Sequence, residues 1–465
     1  MSAQESDGWL RDGLAYVEHW LEFQLRVSEH PGCSIAIEHQ GTLAFEHAFG
    51  VANQTTQEPL TSRHGFRVAS HSKAFTAAAI MLLFERGKLR LDDAVGSHVA
   101  DLSPELGSAT IAQLLSHAAG LTANADTQNY WNDLIPWPDE TELRRQLALP
   151  LIMEPGEQFK YSNVGYGLLG LVIEAVTVQD YISWIISELL PLAGLTETFP
   201  DYDHTIGRPF ANGHSAKHPI GRVVIPGTNQ TRAFAAATGF VSTPRDLAKF
   251  FGQLAPAAEQ SFLSVRSRRE MIRRHRREVP SAGEGYYGFG LASGVVEDKD
   301  YFGHHGAFQG YQSRTCVVPD LKLTVSIVTN AIDGSAGGWI DSVIHILKHF
   351  EQAGATVDAL RCWQGRWWNV WATVDMIPLG DVVIYTSSDS SAPFAEPEEI
   401  EVLTTTTGRF RRSEGHALFG EMVERKLDNQ GHCVAVIVGG DEFLTEGAHI
   451  ERMKSTYVLG NNAVS

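Results

Sequence analysis

The chain has 465 residues, 43 % of them hydrophobic and 20 % charged, the balance of an ordinary soluble globular protein, and this length predicts two domains rather than one core. Its formal net charge of -18 argues against nucleic acid and anionic membrane surfaces as partners. The first ten residues show neither a basic nor an apolar targeting segment, and no stretch is long and apolar enough to span a bilayer, so the expected location is the cytoplasm.

In chain order, residues 9–28 have amphipathic spacing and predict a helix, and 34–39 and 43–51 predict strands around the turn Gln40-Gly41. Ser70-His71-Ser72-Lys73 then opens the amphipathic run Ala74 to Leu83. On a helix this spacing puts the serine hydroxyl and the lysine amine on one face. A serine at a helix start lies near unpaired N–H groups, and an amine beside it can activate it as a nucleophile. The same residues would also suit a capping serine and an unrelated surface lysine. The segment 129–138 is aromatic, Pro-rich and loop-like, with Trp131 and Trp137 as candidate walls for a substrate or as packing residues. Glu154-Pro155-Gly156 begins a turn that leads to Tyr161-Ser162-Asn163 and a further helix. There Tyr161 could carry a proton if neighbouring cations lower its pKa, and Asn163 offers a donor and an acceptor to a substrate amide.

The middle, from about 70 to 255, is mostly helical. Strands return at 287–296, 300–305, 311–318 and 321–329, and a helix over 338–350 follows, its apolar residues at helical spacing. Within the returning strands, His304-His305-Gly306 places a glycine where a ligand backbone could approach a strand edge. The basic run Arg266 to Arg277 predicts a solvated helix face. After Gly354 come short strands with turn signals between them, the pattern of an antiparallel sheet or small barrel, with Trp363, Trp367, Trp368 and Trp371 in its core or in its contact with the first domain. The four cysteines, Cys33, Cys316, Cys362 and Cys433, are scattered without zinc or disulfide spacing and predict buried free thiols. His214 and His218 lie in a Gly/Pro-rich stretch without metal-ligand geometry, so neither a metal nor another cofactor is expected.

Taken together, Ser70/Lys73, Tyr161/Asn163 and His304/Gly306, in that order, resemble the motifs of the penicillin-binding proteins and class C β-lactamases, with their relatives among D-aminopeptidases, D-amino-acid amidases and esterases (peptidase family S12). Gly65 to Ala69, Leu114 to Leu121, Ala237 to Leu247 and Gly310 to Ser313 also resemble this family. The resemblance implies an α/β (α+β) sandwich, an antiparallel sheet with an inserted helical region, over residues 1–355. Residues 356–465 resemble the lipocalin-like β-barrel domain of some D-aminopeptidase relatives. By the same resemblance, Ser70 attacks a carbonyl, Lys73 and Tyr161 share its proton, and the backbone N–H groups of Ser70 and Ala307 form the oxyanion hole. His304 stands where a lysine is commoner, with a charge that depends on pH. Three readings follow: an amidase or peptidase on small peptides or amino-acid amides, an esterase or acyltransferase on the same residues, and a non-catalytic penicillin-recognising binding module. The motifs leave open whether Lys73 or Tyr161 is the base, and they leave the oligomeric state open.

Overall fold

A computed structural model describes residues 8–278, 285–413 and 418–458 of the chain. The chain divides into two compact units, Glu29–Ile340 on the one hand and Met1–Ser28 with Asp341–Ser465 on the other.

The Glu29–Ile340 unit is built on a nine-stranded sheet drawn from both its ends. Strands β1 (Gly32–His39), β2 (Thr42–Asn53) and β3 (Glu58–Pro59) come from the start. From the end come β8 (Arg276–Arg277), β9 (Tyr286–Tyr287), β10 (Ala292–Val296), β11 (Lys299–Phe308), β12 (Tyr311–Val318) and β13 (Leu323–Thr329). The order is β3-β2-β1-β13-β12-β11-β10-β9-β8 and the pairs are antiparallel, with Ile35 opposite Ile327 and Gly306 opposite Ser313. The segment expected as one strand over 287–296 is two, β9 and β10. Gly290, at φ +70, lies between them, where a Cβ would come within 2.7 Å of Lys73 O.

Two short ribbons lie in the inserted region: β4 (Phe66–Arg67) with β7 (Val241–Ser242), and β5 (Gly213–His214) with β6 (Val224–Ile225). The helix carrying Lys73 spans Ser72–Glu85, and every residue from Ser72 to Leu83 is buried. The expected amphipathic helix is therefore enclosed on all sides. The small side chains Ala74, Ala77, Ala78 and Ala79 allow neighbours to approach closely, and Phe75 stacks on Phe240 and Phe250 at 4.5 and 3.9 Å. The basic run is a short helix, Val265–Ile272, followed by β8. Arg268 departs from a solvated face, being 4 % exposed and donating to the carbonyl of Ala258 at 3.1 Å.

In the other unit, β14 (Gly365–Trp368), β15 (Thr373–Leu379), β16 (Val382–Ser387), β17 (Glu398–Val402), β18 (Thr407–Arg412), β19 (Met422–Leu427), β20 (Cys433–Val438) and β21 (Asp441–Leu444) close an antiparallel barrel. Side chains fill it, among them Trp363, Trp367, Met376, Ile400, Phe410 and Phe443. The four-tryptophan cluster is thus divided, because Trp371 is 87 % exposed. Cys33 and Cys316 are buried as expected, but Cys362 is exposed and Cys433 half-buried. The helix Gly8–Ser28 belongs to this unit: Tyr16 Oη lies 3.1 Å from Asp375 Oδ2, Trp20 Nε1 donates to Ser390 O at 3.0 Å and Gln24 Nε2 to Ser388 O at 2.9 Å.

Candidate active site

Ser70 lies in a tight turn, Ala69–His71, that runs straight into the helix of Lys73. Ala69 holds φ +47, a left-handed conformation that costs an alanine energy and so must be imposed by its surroundings. The turn is clamped on both sides. Val68 N donates to Phe240 O at 3.0 Å. Ser72 Oγ donates to Ala69 O at 2.5 Å and accepts from Phe240 N at 3.0 Å. His71 is fully buried between Val68 O and Thr315 Oγ1, each 3.0 Å from a ring nitrogen, and burial pushes its pKa down to about 3.

Around Ser70 Oγ the expected groups converge. Lys73 Nζ is 3.2 Å away and Tyr161 Oη donates at 2.7 Å. Lys73 Nζ also donates to Asn163 Oδ1 at 2.7 Å and to Ala237 O at 2.8 Å. It is buried with no carboxylate partner among the described residues, and desolvation holds its pKa well below the ordinary lysine value. Tyr161 departs from the expected lowered pKa. Burial, with a further contribution from the charge of Glu278, raises it, so the phenol keeps its proton.

Asn163 begins the helix Asn163–Thr177, which Ser162 caps through its hydroxyl to Gly165 N at 2.9 Å. Its carbonyl is taken by Lys73, and its amide donates to Asn124 Oδ1 at 2.7 Å. Trp131 Nε1 reaches the same Asn124 oxygen at 3.4 Å. Trp137 is 2 % exposed, stacked on Phe308 at 5.6 Å and packed against Trp131 at 4.6 Å. The open cleft that it borders, formed by the 133–137 and 226–230 segments, does not include Ser70, Lys73 or Tyr161. Of the two tryptophans, only Trp131 is connected to the Ser70 cluster.

His304 differs from expectation in its charge. Its Nδ1 lies 2.6 Å from the carbonyl of His305, which can only accept, so the proton is on Nδ1. Nε2 then accepts from Tyr287 Oη at 2.9 Å. Burial, helped by His305, His71 and Lys73 nearby, drives the pKa well below the usual imidazole range, and the ring is neutral at pH 7. Gly306 also has a different reason from the expected one. A Cβ there would come within 2.2 Å of Val68 O, so the glycine lets β11 pack against the turn that carries Ser70. β10 pairs with β11 only as far as Gly303, so the stretch that carries Ala307 lies beyond that pairing, and Ala307 is exposed.

The sequence reading missed His117. Its Nδ1 accepts from Ser162 N at 3.1 Å, which leaves the proton on Nε2, buried and without a hydrogen-bond partner among the described residues. The ring packs on Tyr161 at 4.3 Å, Tyr287 at 4.7 Å and Tyr166 at 5.0 Å. Its only sequence signal is its place in Leu114 to Leu121, a stretch valued there for resemblance and not for contact with Tyr161.

Residues 22–338 match the sequence profile of the family described as Beta-lactamase. This chain belongs to the β-lactamase family. Curated relatives include the protein flp of Staphylococcus aureus (strain COL), 30 % identical over 198 residues, 40 % of this chain and 38 % of that protein. Penicillin-binding protein 4* of Bacillus subtilis (strain 168) is 34 % identical over 165 residues, 34 % of this chain and 35 % of that protein. The matched part of the chain thus spans well under half of these relatives. Among solved structures, the octameric penicillin-binding protein homologue of Pyrococcus abyssi superposes with TM-score 0.64 at 22 % identity, over 93 % of this chain and 99 % of that one. A D-amino acid amidase of Ochrobactrum anthropi SV3, crystallised with L-phenylalanine amide, gives 0.61 at 23 % identity, over 72 % and 99 %. Both structural likenesses concern the fold.

Proposed function

We propose that this chain is a serine hydrolase that cleaves amide bonds of small peptides or amino-acid amides through an acyl-enzyme on Ser70. The observation that carries the reading is the set of contacts at Lys73 Nζ. Two of its partners, Asn163 Oδ1 and Ala237 O, can only accept, and together they use both N–H bonds of a neutral amine. The lone pair then faces Ser70 Oγ at 3.2 Å. Lys73 is accordingly the base and Tyr161 the donor. The Ser70 proton passes to Lys73 Nζ as Oγ bonds the carbonyl carbon, and the oxyanion is met by the N–H groups of Ser70 and Ala307. Tyr161, which keeps its proton, gives it to the departing nitrogen as the C–N bond breaks, and the Lys73 ammonium beside its ring, 4.6 Å from the centroid, returns one to it, which leaves Lys73 neutral again. Water then enters in place of the amine and the steps run in reverse.

The substrate class draws support from the amidase of the same fold, which was crystallised with an amino-acid amide. The test is a panel of p-nitroanilides of L- and D-amino acids beside p-nitrophenyl esters, each measured against Ser70→Ala. Turnover of anilides that vanishes in Ser70→Ala is expected. Ser70-dependent turnover of the esters alone would replace the amidase by an esterase. Full activity in Ser70→Ala would remove the mechanism.

A further inference from the structure

We propose that Glu278 is a specificity-determining residue of this site and holds a free ammonium group on the acyl donor. The substrates would then be α-aminoacyl compounds, and acyl donors that end in a carboxylate would be disfavoured. The inference rests on the hydrolase reading above and adds to it the charge of the substrate.

Glu278 directly follows β8, and its N–H continues the β8–β9 ladder by donating to Gly285 O at 2.9 Å. Arg276 pairs with Tyr287, so alternation puts Arg276, Glu278 and Tyr287 on one face of this ribbon. The other two members of that face point into the site region. Arg276 Nη1 donates to Gly156 O at 2.9 Å, in the turn before Tyr161, and Tyr287 Oη donates to His304. The carboxylate lies over Gly285, where any Cβ would fall 2.8 Å from its Oε2.

Glu278 is half-buried, and among the described residues no side chain forms a hydrogen bond or an ion pair with its carboxylate. Its negative charge nevertheless acts on the hydroxyls of Tyr161 and Tyr287. A half-buried carboxylate without a partner is costly and is stabilised by an arriving cation. The cation that a carboxylate-ended substrate would need is missing at His304, because that ring is neutral with both nitrogens engaged. A negative group without a partner among the described residues and a neutral imidazole therefore favour a cationic acyl donor over an anionic one.

The experiment compares an aminoacyl p-nitroanilide with its N-acetyl analogue in wild type and in Glu278→Gln. Wild type is expected to prefer the free amine. In Glu278→Gln, kcat/KM for that substrate should fall about tenfold to a hundredfold, the scale of a lost hydrogen bond to a charged group, mainly through KM. The ratio of kcat/KM for the free amine to that for the N-acetyl analogue should fall by that factor, while the rate at which an uncharged phosphonate labels Ser70 measures the part of any change that comes through Tyr161 and is common to both substrates. An equal change on both substrates, which leaves that ratio at its wild-type value, would mean that Glu278 acts through Tyr161 alone and not on the substrate, and would overturn the proposal. So would equal wild-type use of both substrates. Those results would leave the amidase reading intact, whereas absence of any Ser70-dependent anilide turnover in wild type is the failure of that reading itself.

Discussion

Burial of Lys73 without a counter-charge favours the amine over the ammonium, because the charged form loses its hydration and gains only dipoles in return. The sign follows for the rate. The base must be unprotonated, so kcat/KM rises with pH through the Lys73 pKa, which burial holds well below that of an ordinary lysine. The profile should already be on its plateau at a pH where a surface lysine is still fully charged. An acid limb found near the ordinary lysine value would remove Lys73 as the base. Lys73→Ala and Tyr161→Phe should each lower turnover by about two orders of magnitude or more, with non-additive effects in the double variant because both act on one proton path. His117→Ala should also slow turnover, since it leaves Ser162 N–H unpaired beneath Tyr161. Phosphonate labelling of Ser70 separates that effect from loss of folding. Most of this cluster is legible in the sequence, because Ser70, Lys73, Tyr161 and Asn163 sit in short motifs whose spacing carries the chemistry. The Ala237 carbonyl is not legible, since a backbone oxygen leaves no mark in the residue type. The neutrality of His304 is hidden for a related reason: it depends on burial and on a carbonyl acceptor supplied by the fold.

At the scale of elements, long strands and helices with clear periodicity were readable, and short ones were not. β1, β12 and β13 lie within two residues of their expected ends, because each has an apolar run bounded by turn signals. β8 and β9, two residues each, pair with each other and β9 with β10, and a two-residue strand is too short to show an alternating pattern. β1 also carries an acidic residue at its far end. Glu38 is 8 % exposed, pairs across to Thr324, and lies against Gly252, with burial pushing its pKa from 4.5 up to about 7. Because the folded value is the higher one, Glu38 favours the folded state fully below pH 4.5, and this contribution is lost as pH rises to about 7. The change over that window is about 3 kcal/mol by linkage. Glu38→Gln should therefore flatten the stability profile between those pH values and raise stability at pH 8, measured by urea unfolding. An unchanged slope over that window would show that Glu38 is ionised in the folded protein.

At the scale of the molecule, the expected division at residues 355 and 356 follows a change in composition. The contact pattern instead joins Met1–Ser28 to Asp341–Ser465. A helix read only from its amphipathic spacing could not disclose that its partner lies more than three hundred residues away. The centre of that partnership is a buried ion pair. Arg366 Nε and Nη2 meet Asp375 Oδ1 and Oδ2 at 2.6 and 2.8 Å, and Ser388 Oγ donates to Asp375 Oδ1 at 2.7 Å. Tyr16 of the first helix adds its hydroxyl to the same carboxylate. Removing one partner of such a pair leaves the other charge buried and uncompensated, at a cost of about 3–5 kcal/mol. Asp375→Ala should therefore destabilise this unit by that order, and Tyr16→Phe by about 1 kcal/mol, the net worth of an ordinary hydrogen bond. Replacing both charges, as Arg366→Met with Asp375→Leu, should recover most of the loss, because two apolar side chains need no solvation. Urea unfolding followed by the fluorescence of Trp20, Trp363 and Trp367, which are buried in this unit, reports each change. A double variant as unstable as Asp375→Ala would mean that the geometry of the pair, and not the cost of an uncompensated charge, holds the first helix to the barrel.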